Sequence, residues 1–252
     1  AIMAMSLACL YASNELNSDA VSAPYVLAGH SLGEYTALVV AGVISIEDGL
    51  RLVKERGRLM EEAAVHKVGG MAAVLGLDEG VVEDICRQTG VDIANNNCDL
   101  QIVISGEQSS LGRAIDLANT CGARKTIPLT VSGAFHTKLM EPARAGLAKF
   151  ISTIRFNEPS SPIVANVSGL LLSCPQDIQD ELLAQLCSCV QWKKCVQTII
   201  GTGTKRFVEF GPGKVLSGLV RRIDSNVEVL NVNDLESVYK VIGQNIGNSF
   251  TE

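Results

Sequence analysis

"VLAGHSLGEYTALVVAG", residues 26–42, sets Ser31 between Gly29 and Gly33, after a short apolar run and before a run with helical character. The residues "PYVLAG" (24–29) read as a short buried strand, apolar on both faces as in parallel sheets. "LGEYTALVVAGV" reads as a helix ended by Gly42. A serine in G-x-S-x-G between a strand and a helix fits a nucleophile elbow, a tight turn that lifts the hydroxyl clear of the sheet at a helix N-terminus. The turn asks for small residues at Gly29 and Gly33. It also lets the Leu32 N–H face a developing oxyanion. The plainer alternative is a glycine-flanked serine in an ordinary βα turn.

A serine nucleophile needs a base, and the chain has three histidines, His30, His66 and His136. His30 adjoins Ser31, so its side chain points away from the elbow. His66 ends a polar helix, where a solvated or capping role is expected. His136 lies in "TVSGAFHTKLM", a loop well placed to face the elbow, and by elimination is the expected base. A long stretch with further strands follows it, whereas an α/β-hydrolase keeps its histidine near the C-terminus. A simple hydrolase therefore fits less well than another serine acyl enzyme.

The 252 residues, 47% of them hydrophobic, allow one large domain or a domain with an insert. A net charge of −6 without a basic run or aromatic-basic interleaving excludes a nucleic-acid partner. No apolar segment reaches the roughly 18–20 residues that span a bilayer, so no membrane association is expected. The eight cysteines contain no C-x-x-C pair. The nearest thing to a metal pattern, Cys187-x-Cys189 followed by Cys195, lacks a matching His or Cys pair. No metal is expected, and the thiols read as reduced and mostly buried in a cytoplasmic protein. "AIMAMSLACLYASNEL" is apolar from its first position, as if a helix had already begun, so a segment upstream is expected.

Further along, "SIEDGLRLVKERGRLMEEAAVH" starts like a capped helix, with Ser45 three residues before Asp48. Leu50, Val53, Gly57 and Met60 are its expected inner face. From Gly69 the rhythm becomes strand 70–77, helix 78–90, strand 91–96, strand 100–106, helix 107–122 and strand 124–131. That β-α-β-β-α-β order is ferredoxin-like. Helices and apolar strands alternate again after it, in "PIVANVSG", "RFVEFGPG" and "VEVLNVND". The expected fold is α/β: a parallel-sheet, hydrolase-like core (1–66 and 133–252) carrying a ferredoxin-like subdomain inserted at 67–132.

Together, "GHSLGEYTALVVAG", "VKERGRLM", "VSGAFHTKLM", "VQW" and "FVEFGPGKVLSGL" resemble the malonyl-CoA:acyl-carrier-protein transacylases of type II fatty acid synthesis. They are similar too to the acyltransferase domains of polyketide and type I fatty acid synthases. The resemblance runs from residue 1 to about 240. It implies malonyl transfer through a Ser31 ester, with His136 as acid and base and oriented by the backbone carbonyl of Gln185. It further implies that Arg56 pairs with the free malonyl carboxylate, as a guanidinium can with two parallel hydrogen bonds. Phe135 would crowd an α-methyl branch, and His30, Asn95 and Asn97 would lie on the substrate side. The implied partners are malonyl-CoA and acyl carrier protein, with no cofactor beyond these substrates and a monomeric enzyme. Lys193, Lys194, Lys214, Arg221 and Arg222 are candidates for docking an acidic carrier. The family's G-Q-G-x-Q loop, a source of a second oxyanion N–H, has no match here. A serine esterase or thioesterase, or an inactive carrier-binding fragment, are the alternatives.

Overall fold

The computed structural model describes residues 1–16 and 25–247. Helix α1 (Ile2–Leu16) leads to the elbow region and α2 (Leu32–Val40), then α3 (Ile46–His66). Ser45 caps α3 by accepting the Asp48 N–H at 3.0 Å, as the capping pattern anticipated. The inner face of α3 differs from expectation. It centres on Gly49, Leu52, Arg56, Leu59 and Ala63; of the expected residues Met60 is buried and Val53 packs on the core, while Leu50 and Gly57 stay exposed. Gly49 decides this rotation, because a Cβ there would meet Val39 and Met3. The rotation carries Arg56 into the interior.

Next come β1 (Gly69–Leu75), α4 (Glu79–Thr89), β2 (Asp92–Cys98), β3 (Gln101–Glu107), α5 (Gln108–Thr120) and β4 (Lys125–Pro128). They form one four-stranded sheet in the order β2-β3-β1-β4, antiparallel throughout. Side chains alternate between its faces. Ala72, Val74, Ile102 and Ile104 pack with Val82, Ile85, Leu111 and Ala114 of α4 and α5. The other face presents Met71, Ala73, Ala94 and Val103 to Leu129 and Phe135. One face of the sheet thus carries its own helices, and the other backs the loop that holds His136.

Helix α6 (Glu141–Ile151), β5 (Ile163–Val164), β6 (Leu171–Leu172) and α7 (Pro175–Gln185) follow. Then come α8 (Trp192–Gly201), β7 (Arg206–Phe210), α9 (Val215–Ile223), β8 (Glu228–Val232) and α10 (Leu235–Gly247). Tyr35, Leu38, Leu52, Leu59, Leu147 and Leu182 form the core joining α2, α3, α6 and α7.

The expected parallel sheet is realised only in part. β7 and β8 pair in parallel, but β5 and β6 form an antiparallel hairpin. Gly169, at φ 67°, lets the chain reverse after Val164. The expected strand at 24–29 is a single parallel bridge, Leu27 to Ile163, with Pro24 outside the described residues. The fold is α/β with mixed pairing. Glu209, in "FVEFGPG", caps α9 by accepting the N–H groups of Leu216 (3.0 Å) and Ser217 (2.8 Å). Helix α10 was not anticipated from its sequence.

Candidate active site

Ser31 occupies the N-cap of α2 with φ 50° and ψ −101°. A non-glycine residue held there costs about 1–3 kcal/mol, and the surroundings must impose it. Asn166 imposes it. Its Oδ1 accepts the Ser31 N–H at 2.7 Å, and its Nδ2 donates to the Gly29 carbonyl at 2.8 Å. One buried carboxamide therefore clasps both ends of the turn. Gly29 is obligatory, because a Cβ there would overlap the Gly33 carbonyl and the Glu34 nitrogen. Gly33 is not, contrary to the symmetric expectation, since a Cβ there meets nothing within 4 Å. With the Ser31 N–H taken, the Leu32 N–H is one of the first-turn donors that α2 itself leaves without an intrahelical partner.

His136 Nε2 stands 2.8 Å from Ser31 Oγ. Its Nδ1 stands 2.8 Å from the Gln185 carbonyl oxygen. A carbonyl can only accept, so Nδ1 carries the proton and Nε2 offers its lone pair to the Ser31 hydroxyl. Burial, and secondly the Arg56 charge, push the His136 pKa down to about 3, so the ring is neutral at ordinary pH. His136 is itself at φ 60°, held in a loop whose Thr137 hydroxyl donates to Ala134 O at 2.8 Å.

Arg56 reaches in from α3 and is only 5% exposed. Its Nη2 donates to Ser31 Oγ at 3.0 Å and to Gln185 Oε1 at 3.1 Å. Its carbon Cζ lies 5.1 Å from the centre of the Tyr35 ring. Its Nε is buried without a hydrogen-bond partner. Among the described residues no carboxylate lies within ion-pair distance of it. A buried guanidinium without a counter-ion is costly unless an anion arrives to share the site.

His30 Nε2 and Asn97 Oδ1 lie 2.9 Å apart, and the His30 ring leans on Trp192 of "VQW" with centroids 5.5 Å apart. Burial lowers the His30 pKa, opposed by the Asn97 bond. Asn95 sits in the β2 ladder and bridges Val190. Phe135, half-buried beside His136, packs both on the open sheet face and on the main core. His66 is exposed at the end of α3. Lys193 pairs with Asp99, Arg222 bonds Gln101, and Arg221 donates to Val229 O at 2.7 Å.

Three residues of the site were not anticipated: Asn166, Glu34 and Glu181. Glu34, 1% exposed, accepts the Asn166 N–H at 3.0 Å on Oε1 and the Gln185 carboxamide on Oε2. Burial, and next the neighbouring Glu181, raise its pKa well above the carboxylate range. Glu181 accepts the Val167 N–H at 2.7 Å. The glutamate in "GHSLGE" was a readable signal, since a charge amid "LVVA" on a buried helix needs internal partners.

A strained serine, a neutral histidine fixed by a carbonyl, and a buried cation beside the hydroxyl meet in one place, an arrangement that fits an acyltransferase. The acyl transferase domain model matches residues 1–248. The chain is 39% identical over 220 residues to the malonyl CoA-acyl carrier protein transacylase of Bacillus subtilis, spanning 85% of this chain and 69% of that protein. The chain belongs to the malonyl CoA-acyl carrier protein transacylases of the acyl transferase domain family. It is similar to an acyl carrier protein S-malonyltransferase from Vibrio cholerae at TM-score 0.90 and 39% identity, over 95% of this chain and 78% of that one. A malonyl-transacylase solved in complex with a type II acyl-carrier protein aligns at TM-score 0.92 and 37% identity, over 96% and 79%.

Proposed function

We propose that the site moves a malonyl group from malonyl-CoA to the phosphopantetheine thiol of acyl carrier protein, with Ser31, His136 and Arg56 in the central roles. Ser31 Oγ attacks the thioester carbonyl while His136 Nε2 takes the hydroxyl proton. The Leu32 N–H donates to the oxyanion. Collapse breaks the C–S bond, and His136 returns the proton to the departing CoA sulfur. His136 then deprotonates the carrier thiol, whose sulfur attacks the seryl ester. The C–O bond breaks, and the proton goes back to Ser31. The Gln185 carbonyl holds His136 and stabilises the imidazolium that forms transiently, the office a carboxylate fills in other serine enzymes.

The observation that carries this reading is Arg56, buried, with no carboxylate at ion-pair distance among the described residues, donating to the nucleophile it would share with the substrate. On arrival of the malonyl carboxylate the guanidinium exchanges a hydroxyl for a charge-assisted pair. The His30–Asn97 pair and Phe135 lie on the acyl side. Lys193, Lys194, Lys214, Arg221 and Arg222 offer charge to an acidic carrier. The β1–β4 sheet with α4 and α5 is read as a ferredoxin-like subdomain, 67–132, set into a core of 1–66 and 133–252. No helix among the described residues is long and apolar enough to cross a membrane, and they hold no cluster of three potential metal ligands. We read the enzyme as a cytoplasmic monomer that uses no cofactor beyond its substrates.

Incubation with malonyl-CoA tests the proposal by intact mass. A gain of one malonyl group, absent in Ser31→Ala, is expected, and no adduct on the wild-type protein refutes it. A serine esterase with the same elbow would turn over uncharged esters as readily after Arg56→Ala as before.

A further inference from the structure

Among the described residues no carboxylate pairs directly with Arg56, so something else must fix where its guanidinium points. On one side the Tyr35 ring lies against it, and on the other Gln185 Oε1 accepts from Nη2 at 3.1 Å. A guanidinium can only donate, which fixes the Gln185 carboxamide with its oxygen toward Arg56 and its Nε2 turned the other way. Nε2 donates to the Ser31 carbonyl at 3.1 Å and to Glu34 Oε2. Glu34 is anchored in turn, because its Oε1 takes the Asn166 backbone N–H at 3.0 Å. The order of support is thus Asn166 backbone, Glu34, Gln185 carboxamide, Arg56.

We infer that Glu34 is a positioning residue: through the Gln185 carboxamide it fixes the guanidinium that reads the substrate carboxylate, and so sets the preference for carboxylate-bearing acyl groups. This rests on the reading of Arg56 given above. A buried carboxyl group is an expensive way to fill space, and an apolar residue on α2 would pack at lower cost. Glu181 close by makes it costlier still. What an apolar residue cannot do is accept both the Asn166 N–H and the Gln185 carboxamide. Without that acceptor, Gln185 Nε2 keeps only the Ser31 carbonyl, at 3.1 Å, and the carboxamide that orients Arg56 is held at one point instead of two.

Steady-state transfer from malonyl-CoA and from acetyl-CoA in the full chain separates this role from a purely structural one. Acetyl has no carboxylate for Arg56 to read. Glu34→Gln is expected to lower the malonyl-to-acetyl ratio of kcat/KM by ~10-fold or more, mainly through the malonyl-CoA KM. In the Arg56→Ala background the same change should leave the ratio where Arg56→Ala alone put it. An equal fall for both substrates, with the ratio unchanged, overturns the inference while the Arg56 reading stands. If Arg56→Ala itself leaves the ratio unchanged, the Arg56 reading falls and this inference with it. Should Glu34→Gln not fold, Gln185→Met tests the same link, since it deletes the carboxamide and keeps the backbone carbonyl that holds His136. A lowered ratio there supports the role, and a wild-type ratio refutes it.

Discussion

Arg56 donates to the Ser31 hydroxyl oxygen across 3.0 Å, while His136 approaches the same oxygen at 2.8 Å from another side. The two relationships divide the labour. His136, neutral, can accept the hydroxyl proton, whereas Arg56 can only donate and so stabilises negative charge at that oxygen or on a group beside it. Both groups are buried, so their interaction with the serine is weakly screened. That same proximity is the second cause, after burial, of the low His136 pKa.

Removing Arg56 should therefore cost most where the substrate carries a carboxylate. Two charge-assisted hydrogen bonds are together worth roughly 3–4 kcal/mol, or about 10²–10³ in kcat/KM. Arg56→Ala is expected to lose that much with malonyl-CoA and far less with acetyl-CoA, measured by transfer to carrier protein. Equal losses with the two substrates would remove Arg56 from the carboxylate-reading role.

The two glycines of the elbow should behave oppositely. Gly29→Ala drives a methyl into the backbone of Gly33 and Glu34, which cannot yield without opening the turn. A destabilisation above about 3 kcal/mol, or no soluble protein, is expected. Gly33→Ala adds its methyl to open space in the first turn of α2 and should leave the melting temperature unchanged or slightly raised. Thermal melts of the two variants side by side decide the matter, and a stable Gly29→Ala would contradict the geometry.

How much of this could be read from sequence follows from the range of each contact. The elbow is local, so serine and helix announce themselves within "VLAGHSLGEY", whereas the strand read there is a single bridge at Leu27. The β-α-β-β-α-β rhythm is likewise a pattern of neighbouring residues, and its order matches the observed sheet. His136 was reachable because only three histidines exist to choose from. The inner face of α3 is only half legible, with Met60 and Val53 inside as expected but Leu50 and Gly57 outside, because the packing of Gly49 against Val39 and Met3 sets a rotation that the pattern alone does not. Asn166 was invisible for another reason. It lies far along the chain from Ser31, and an asparagine before "VSG" reads as a turn former, not as the clasp of a distant turn. Helix α10 did carry a local start signal, since Asp234 accepts the Ser237 N–H at 2.8 Å and Ser237 Oγ accepts the Asp234 N–H at 3.0 Å, a reciprocal cap.

The pH behaviour follows from the sign of the His136 shift. Its folded pKa, about 3, lies below the ordinary value of 6.5, so the folded protein binds this proton less readily than the unfolded chain. The corresponding stability is present above pH 6.5 and is lost as pH falls from there toward 3. Catalysis should be less affected than stability in the upper part of that window. The rate of Ser31 acylation in a single turnover is expected to change by less than ~2-fold between pH 8 and 5, because Nε2 stays unprotonated throughout. A fall of ten-fold centred near pH 6.5 would mean that the ring is solvated and the buried arrangement wrong. His136→Ala should lower the acylation rate by about 10³-fold or more at every pH in that range.

Asn166 offers the sharpest separation of geometry from chemistry, since its carboxamide bonds only backbone atoms of Ser31 and Gly29, not the Ser31 hydroxyl or the His136 ring. Asn166→Ala leaves the Ser31 N–H and the Gly29 carbonyl without partners, each at about 1–3 kcal/mol. Stability should fall by roughly 2–4 kcal/mol, read from denaturant midpoints. With the clasp gone, the strain at φ 50° can relax, and Ser31 Oγ swings out of line with His136 Nε2. Acylation by malonyl-CoA should then slow by ~10²-fold with little change in its KM, because Arg56 and its support through Glu34 and Gln185 remain in place. Asn166→Asp sharpens the test. It keeps an acceptor for the Ser31 N–H but turns a carboxylate oxygen toward the Gly29 carbonyl, replacing a hydrogen bond with repulsion between two acceptors. If Asn166→Asp acylates at the wild-type rate, the clasp on Gly29 is not what holds the nucleophile in line.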